Sequence, residues 1–221
     1  MKIIHYILSV SILLTLTACL NYKQDVVLQP DGSGRMKIEY WMNLPDGGSK
    51  DVADNLGIFN PDSIRNEFSS LYSKVENVDV YVDSTDTSTH AIVEFSFDRI
   101  DSLNRTQMFA DSKFRFKEET SGQIVFSQFI PPIAIGFGIK TDEYSVIYNY
   151  TFPGTLLNHN AHQVNDNTLT WNYSLADIGV GKSINVTFKP FKLEKTPDWI
   201  YMLTGAVLAL VIFFLFRRKR G

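Results

Sequence analysis

Two histidines come nearest to a metal-binding pattern in this 221-residue sequence. His159 and His162 lie three residues apart, a spacing that can present two imidazoles to one zinc ion. A protein zinc site needs three or four ligands, however, and the residues around this pair are turn-formers. We therefore interpret the segment as a solvated hairpin loop and predict no metal site.

The acidic residues that are close together in the sequence do not predict a reactive site either. The pairs Glu118-Glu119 and Asp142-Glu143 are adjacent, and neighbours in a strand point to opposite faces, so neither pair can share a substrate. The run from Asp31 to Gly34 resembles the start of a calcium loop but lacks the further oxygen ligands and the distal glutamate, which favours a glycine-containing hairpin turn.

The sequence contains no motif of a known catalytic class. A Gly-x-Ser-x-Gly elbow, a phosphate-binding loop and a dinucleotide fingerprint are all missing from the sequence. We therefore predict no catalytic residues, no cofactor and a protein that is not an enzyme. An envelope hydrolase with dispersed active-site residues stays the alternative, because a catalytic triad is assembled in space rather than in sequence.

The single cysteine, Cys19, stands at the end of an N-terminal secretion signal. Lys2 is followed by an apolar run from Ile3 to Leu16 and then by Thr17-Ala18-Cys19. This run resembles the bacterial lipobox, in which the cysteine thiol is lipidated before the signal is cut. The sequence thus predicts that residues 1–18 are removed as a lipoprotein signal peptide and that Cys19 becomes an acylated mature N-terminus. With this thiol consumed, no disulfide can form.

The C-terminal end has the pattern of a membrane anchor. Eighteen uncharged residues, Trp199 to Phe216, are followed by four consecutive basic residues. At about 1.5 Å per residue the run covers about 27 Å, close to the thickness of a bilayer's hydrocarbon core. We predict a transmembrane helix over 199–216 and a cytoplasmic basic tail over 217–221. Residues 19–198 would then form an extracytoplasmic domain, periplasmic or outer, on the cytoplasmic membrane.

The charge of that domain limits its partners. All 24 acidic residues but only 16 of the 21 basic ones lie within 19–198, which gives this segment a net charge of −8. An acidic domain is repelled by anionic headgroups, so its hold on the membrane must come from its anchors. The same charge excludes nucleic acid as a favoured partner.

Most of the domain shows the alternation of strands with one solvated face. Apolar residues recur at every second position in seven segments, which are 36–42, 78–82, 91–97, 113–117, 144–152, 169–173 and 184–188. One helix is predicted from Asn60-Pro61-Asp62, with Ile64, Phe68, Leu71, Tyr72 and Val75 on one stripe, and a weaker one over 101–109. The predicted fold class is α+β, an antiparallel sheet with one face covered by one or two helices, plus the C-terminal transmembrane helix.

One apolar segment, 129–139, fits neither a strand nor a helix. It has eleven residues without alternation, and its two prolines and two glycines exclude a central strand or a helix interior. Either it folds into the core as irregular structure, or Ile133, Ile135 and Phe137 are exposed and contact lipid or a partner. We take the second reading as the hypothesis to test.

Two hairpin patterns in this sequence resemble a known family. Val26-Val27-Leu28 precedes Pro30-Asp31-Gly32-Ser33-Gly34 near the start, and Phe152-Pro153-Gly154 precedes Asn167-Thr168-Leu169-Thr170-Trp171 near the end. Together with the lipobox-like run and the C-terminal apolar run, they resemble the LppM-type domain of bacterial membrane-anchored lipoproteins over nearly the whole chain. The resemblance implies an envelope protein with a mixed α/β domain, and it suggests lipid or glycolipid binding. It implies no catalytic residues.

These observations predict a membrane-anchored lipoprotein that acts without catalysis. Its domain is expected to bind lipid or glycolipid, or to serve as an envelope assembly module. The expected partner is membrane lipid, and an envelope protein is the second candidate.

Overall fold

The computed structural model describes residues 20–43, 47–119, 122–132, 145–191 and 198–218. The chain divides after Pro190 into two compact units. The first unit contains all strands of the described residues, and the second contains the C-terminal helix.

Seven strands form a wide sheet in the first unit. Their bounds are β1 Leu20–Leu28, β2 Gly34–Asn43, β3 Ser73–Val82, β4 Ser88–Phe97, β7 Ser145–Thr151, β9 Gln163–Asn165 and β10 Thr168–Ser174. The order across the sheet is β3-β4-β2-β1-β7-β10-β9. Strands β1 and β7 pair in parallel, whereas the other neighbours pair antiparallel.

Four more strands form a second, smaller sheet. They are β5 Arg115–Glu118, β6 Ile124–Ile130, β8 Gly154–His159 and β11 Lys182–Pro190, in the antiparallel order β5-β6-β11-β8. The chain changes sheets at Phe152 and Pro153, between β7 and β8. Gly154 begins β8 against the backbone of Lys189, where any Cβ would collide. A glycine is therefore required where the chain enters the small sheet.

Short helices complete the first unit. They are α1 Gly47–Leu56, α2 Pro61–Phe68 and α3 Leu175–Ile178, with 3₁₀ turns at Ile100–Arg105 and Ala110–Ser112. Helix α2 begins as predicted, because the Asn60 side chain accepts hydrogen bonds from the backbone N–H groups of Asp62 and Ser63, both at 3.0 Å. Its Phe68 packs against Phe95 of β4, with 5.7 Å between ring centroids.

The core lies between the inner faces of the two sheets and under α2. Aromatic rings from both sheets meet there: Phe126 of β6 lies 5.0 Å from Tyr150 of β7, and Phe188 of β11 lies 5.2 Å from Phe152. Trp171 of β10 is fully buried beside Tyr150. The two sheets thus share one continuous apolar core.

A buried hydrogen-bond chain crosses this core between the sheets. The Gln24 amide donates to the Tyr150 hydroxyl at 2.7 Å, and that hydroxyl donates to Oε1 of Gln128 at 2.6 Å. Gln24 and Tyr150 belong to the wide sheet, whereas Gln128 belongs to the small one. Burial raises the pKa of the Tyr150 hydroxyl well above its ordinary value, so it stays protonated and able to donate.

The predicted fold class is wrong in its description of one antiparallel sheet covered by helices. The structure has two sheets, and the wide one contains a parallel pair. The physical reason is that β5, β6, β8 and β11 form a separate sheet with its own apolar face. Phe126 and Phe188 on that face pack against Tyr150 and Phe152, so a sheet rather than helices covers this part of the wide sheet. The longest helix of the first unit has 10 residues, so helices cannot cover the seven-stranded sheet alone.

The second unit contains α4, Asp198–Arg218. Among the described residues, no helix combines the length and the apolar character that crossing a membrane requires. This finding corrects the prediction of a transmembrane helix over 199–216.

Candidate functional site

Three rings are stacked on the outer face of the wide sheet, near the β3–β4 hairpin. The strand register aligns Trp41 of β2 and Tyr81 of β3 with His90 of β4. The His90 ring lies 5.4 Å from Trp41 at an interplanar angle of 3°, and 4.9 Å from Tyr81 at 12°. These spacings follow the distance between neighbouring strands, so the sheet itself sets the stack. We call these three residues the aromatic row.

Both nitrogens of the His90 ring lie within hydrogen-bond distance of neighbouring side chains. Nδ1 lies 3.2 Å from Oε1 of Glu39, and Nε2 lies 2.8 Å from the Ser88 hydroxyl. Glu39 is on β2, two residues before Trp41 and on the same face. The His90 side chain is only 12% exposed. The ring is therefore fixed in position and in rotation.

The β3–β4 hairpin adds two carboxylates next to His90. Oδ1 of Asp86 accepts from the Ser88 backbone N–H at 2.9 Å and from the Ser88 hydroxyl at 2.6 Å. Oδ1 of Asp83 accepts from the Thr85 backbone N–H at 2.7 Å. The hydrogen bonds from the Ser88 hydroxyl and backbone lower the pKa of the Asp86 carboxyl, which keeps it ionised at neutral pH.

We call Glu39, Asp83, Asp86, Ser88 and His90 the histidine cluster. One part of it has the connectivity of a catalytic triad, since Ser88, His90 and Glu39 are joined in that order. The serine does not suit a nucleophile, however. Ser88 is only 2% exposed, and its hydroxyl proton is donated to Asp86 rather than to the imidazole. A substrate carbonyl cannot approach this oxygen.

A second part of the cluster has the composition of a metal site. Asp83, Asp86 and His90 each offer one ligand atom, and the three atoms lie within 4.8 Å of one another. Among the described residues, no other group of three or more His, Cys, Asp or Glu side chains brings its ligand atoms this close together. The set supplies one imidazole nitrogen and two carboxylate oxygens.

The site residues predicted from the sequence lie outside the described residues. This applies to Cys19 and to Ile133, Ile135 and Phe137. The structure does place their neighbours, because β1 begins at Leu20, directly after Cys19, and β6 ends at Ile130. Ile130 is 1% exposed and belongs to the core. The proposed contact role of Ile133, Ile135 and Phe137 stays a prediction.

His159 and His162 each accept a hydrogen bond from a backbone N–H group. Nδ1 of His159 accepts from the Ala161 N–H at 3.3 Å, and Nδ1 of His162 accepts from the Asn172 N–H at 3.1 Å. In the described part of the chain neither belongs to a group with metal-ligand spacing. Sequence reasoning did not identify the histidine cluster, because Glu39 lies 51 residues from His90 and both occur in alternating strands. The nearest local signal was Asp83, Asp86, Ser88 and His90 around one turn.

No family model matches the sequence, and no curated protein matches it. Among solved structures, the folded domain of LppM from Mycobacterium tuberculosis, determined by NMR, is similar with a TM-score of 0.51 and 14% sequence identity. The chain has an LppM-like fold. The similarity covers 84% of this chain and 96% of the LppM domain.

Proposed function

We propose that the chain is an envelope lipoprotein, anchored by a lipid on Cys19, whose domain contacts lipid or glycolipid headgroups without catalysing a reaction. The observation that carries this proposal is the start of β1 at Leu20. No linker separates the anchor from the sheet. The end of the wide sheet that contains Leu20 must therefore lie at the membrane surface.

The register of the wide sheet brings the aromatic row to this end. Leu20 pairs with Met42, and Asn21 pairs with Trp41. Two residues of extended chain reach about 7 Å, so Asn21 lies within that distance of Cys19. Trp41, His90 and Tyr81 continue the same row across the sheet. Trp and Tyr rings favour the headgroup region, because each has an apolar body and a polar tip.

Exposed apolar side chains at the same end support this orientation. Val82 is 64% exposed, and it pairs with Thr89, which pairs with Met42. Val82 and Leu20 therefore lie in one row. Tyr81 is 39% exposed. The interior offers less to a lipid, because Trp171, Tyr150, Phe126 and Phe188 fill the space between the sheets. Binding on the surface, rather than in a cavity, fits this packing.

Spin labels at the two ends of the sheet test this orientation. Cys19 is the only native cysteine, and its lipid blocks the thiol, so Val82→Cys and Val164→Cys can each be labelled in the lipidated protein after reconstitution into vesicles. Val164 is 51% exposed and pairs with Leu169, which lies in the row of Tyr150 and Val26. That row is six residues beyond Leu20, or about 20 Å along the strands.

We expect the label at position 82 to collide more often with oxygen, which concentrates in lipid, than with a water-soluble nickel reagent. The label at position 164 should show the reverse preference. Equal and fully aqueous accessibility of both labels would contradict the proposed orientation. Trp41→Ser with Tyr81→Ser should shift the label at 82 toward water, whereas Leu157→Ser, at another exposed apolar position, should not.

A further inference from the structure

We propose that Asp83, Asp86 and His90 bind a divalent transition-metal ion, and that Zn²⁺ fits the set best. The three ligand atoms already lie within 4.8 Å of one another. Zinc binds histidine nitrogen and carboxylate oxygen at about 2.0–2.2 Å, so an ion placed between the three atoms needs small side-chain movements. Three protein ligands leave the fourth tetrahedral position to water.

Glu39 supports this proposal from outside the ligand set. A metal-bound histidine commonly donates its second ring N–H to a carboxylate, which fixes the tautomer and the ring orientation. Glu39 is placed for this role, with Oε1 3.2 Å from Nδ1 of His90. When Nδ1 donates to Glu39, the lone pair of Nε2 faces the hairpin that contains Asp83 and Asp86. Stacking between Trp41 and Tyr81 prevents the ring from turning away.

The hairpin orients both carboxylates in advance. One oxygen of each is held by a backbone N–H, that of Thr85 for Asp83 and that of Ser88 for Asp86. Among the described residues, neither carboxylate forms a salt bridge with lysine or arginine. Their negative charges are therefore left to solvent or to a cation. A bound ion takes the place of the Ser88 hydroxyl at Nε2, while Ser88 keeps its hydrogen bond to Asp86.

The ligand chemistry also discriminates between ions. Calcium takes six to eight oxygen ligands and magnesium keeps most of its water, so an imidazole offers little to either ion. Zinc, copper and nickel bind imidazole well. We therefore expect zinc to bind and calcium to compete weakly.

Titration of the full chain with Zn²⁺ after removal of metals with a chelator tests the proposal. We expect one ion per chain. His90→Gln should weaken binding by at least about 100-fold, because it removes the sole nitrogen ligand. Glu39→Gln should weaken it by about 10–100-fold, as changes in outer-shell partners of metal sites commonly do. Asp86→Asn should also weaken it, and its amide oxygen can still accept from the Ser88 N–H.

Two matched controls exclude binding elsewhere on the surface. Asp79→Asn removes another exposed carboxylate of β3, and His159→Gln with His162→Gln removes the other histidine pair. Both variants should bind Zn²⁺ as the parent does. The imidazole ¹⁵N resonances of His90 should move on addition of Zn²⁺, which reports ligation directly.

Several results would overturn the proposal. These are no binding at millimolar Zn²⁺, unchanged affinity in a folded Asp86→Asn variant, or loss of the ion in the His159/His162 variant with His90 unaffected. Circular dichroism without metal shows whether each variant is folded. If His90→Gln does not fold, Asp86→Asn and the His90 resonances decide the outcome.

Discussion

Replacing Trp171 with alanine is expected to lower the free energy of unfolding by about 3–5 kcal/mol. The ring is fully buried at the junction of the two sheets and meets Tyr150 edge-on, with 6.1 Å between centroids. Its Nε1–H donates to Oδ1 of Asn160 at 3.1 Å, and the same oxygen accepts from the Asn185 backbone N–H of β11. The substitution therefore leaves a large cavity and weakens a link between β10 and the small sheet.

Urea unfolding of residues 20–190, followed by circular dichroism, measures this loss. The matched control is Val164→Ala on β9, which is 51% exposed and should change stability by no more than about 0.5 kcal/mol. A loss below about 1 kcal/mol for Trp171→Ala would mean that the two sheets do not share the described core.

Tyr150→Phe is expected to destabilise the protein by about 2–4 kcal/mol, although it removes a single oxygen. That hydroxyl accepts from Gln24 and donates to Gln128, and both glutamines are almost completely buried. Each buried polar group that loses its partner costs about 1–3 kcal/mol. The effect is therefore larger than the loss of an ordinary exposed hydrogen bond.

Tyr173→Phe is the matched control for this second substitution. Tyr173 is also a strand tyrosine with a largely covered ring, and its hydroxyl forms no hydrogen bond with the described residues. The same unfolding experiment should find less than about 0.5 kcal/mol for this variant. Equal effects of the two substitutions would show that the Gln24 to Gln128 chain contributes nothing to stability.

Local strand structure was predictable because alternation is a property of neighbouring residues. The alternating segments overlap β2, β3, β4, β5, β7, β10 and β11. Their arrangement into sheets was not predictable from the same signal. Tyr22 of β1 pairs with Val146 of β7 across more than half of the chain, and no residue near either strand encodes that choice. The second sheet and the parallel pair both depend on such distant partners.

The helix from Asn60 shows where a periodic pattern fails. Leu71 continues the apolar stripe in sequence, yet α2 ends at Phe68 and Leu71 is 92% exposed. Serine side chains end the helix: the Ser73 hydroxyl donates to the Phe68 carbonyl at 2.6 Å, and the Ser70 hydroxyl accepts from the Tyr72 N–H. These local hydrogen bonds take the place of the next helical hydrogen bonds, so the helix ends at Phe68. The spacing of apolar residues alone gives no information about these serine hydrogen bonds.

The histidine cluster could not be predicted from the sequence for a related reason. In the sequence, Glu39 and His90 belong to two unrelated alternating segments, and each looks like part of a solvated face. The antiparallel register of β2 and β4 makes them neighbours. The strand start at Leu20 adds to the lipobox-like run, because a lipid on Cys19, as we propose, would be next to the end of the wide sheet that contains the aromatic row.

Intact-mass measurement of the membrane-extracted protein tests the proposed lipidation of Cys19 most directly. We expect one mature species that starts at Cys19, lacks residues 1–18 and carries a diacylglycerol group on the thiol. Cys19→Ala should leave the signal uncut and remove this mass. A native species that starts at Met1 with an unmodified thiol would contradict lipidation, and with it the placement of the aromatic row at the membrane surface.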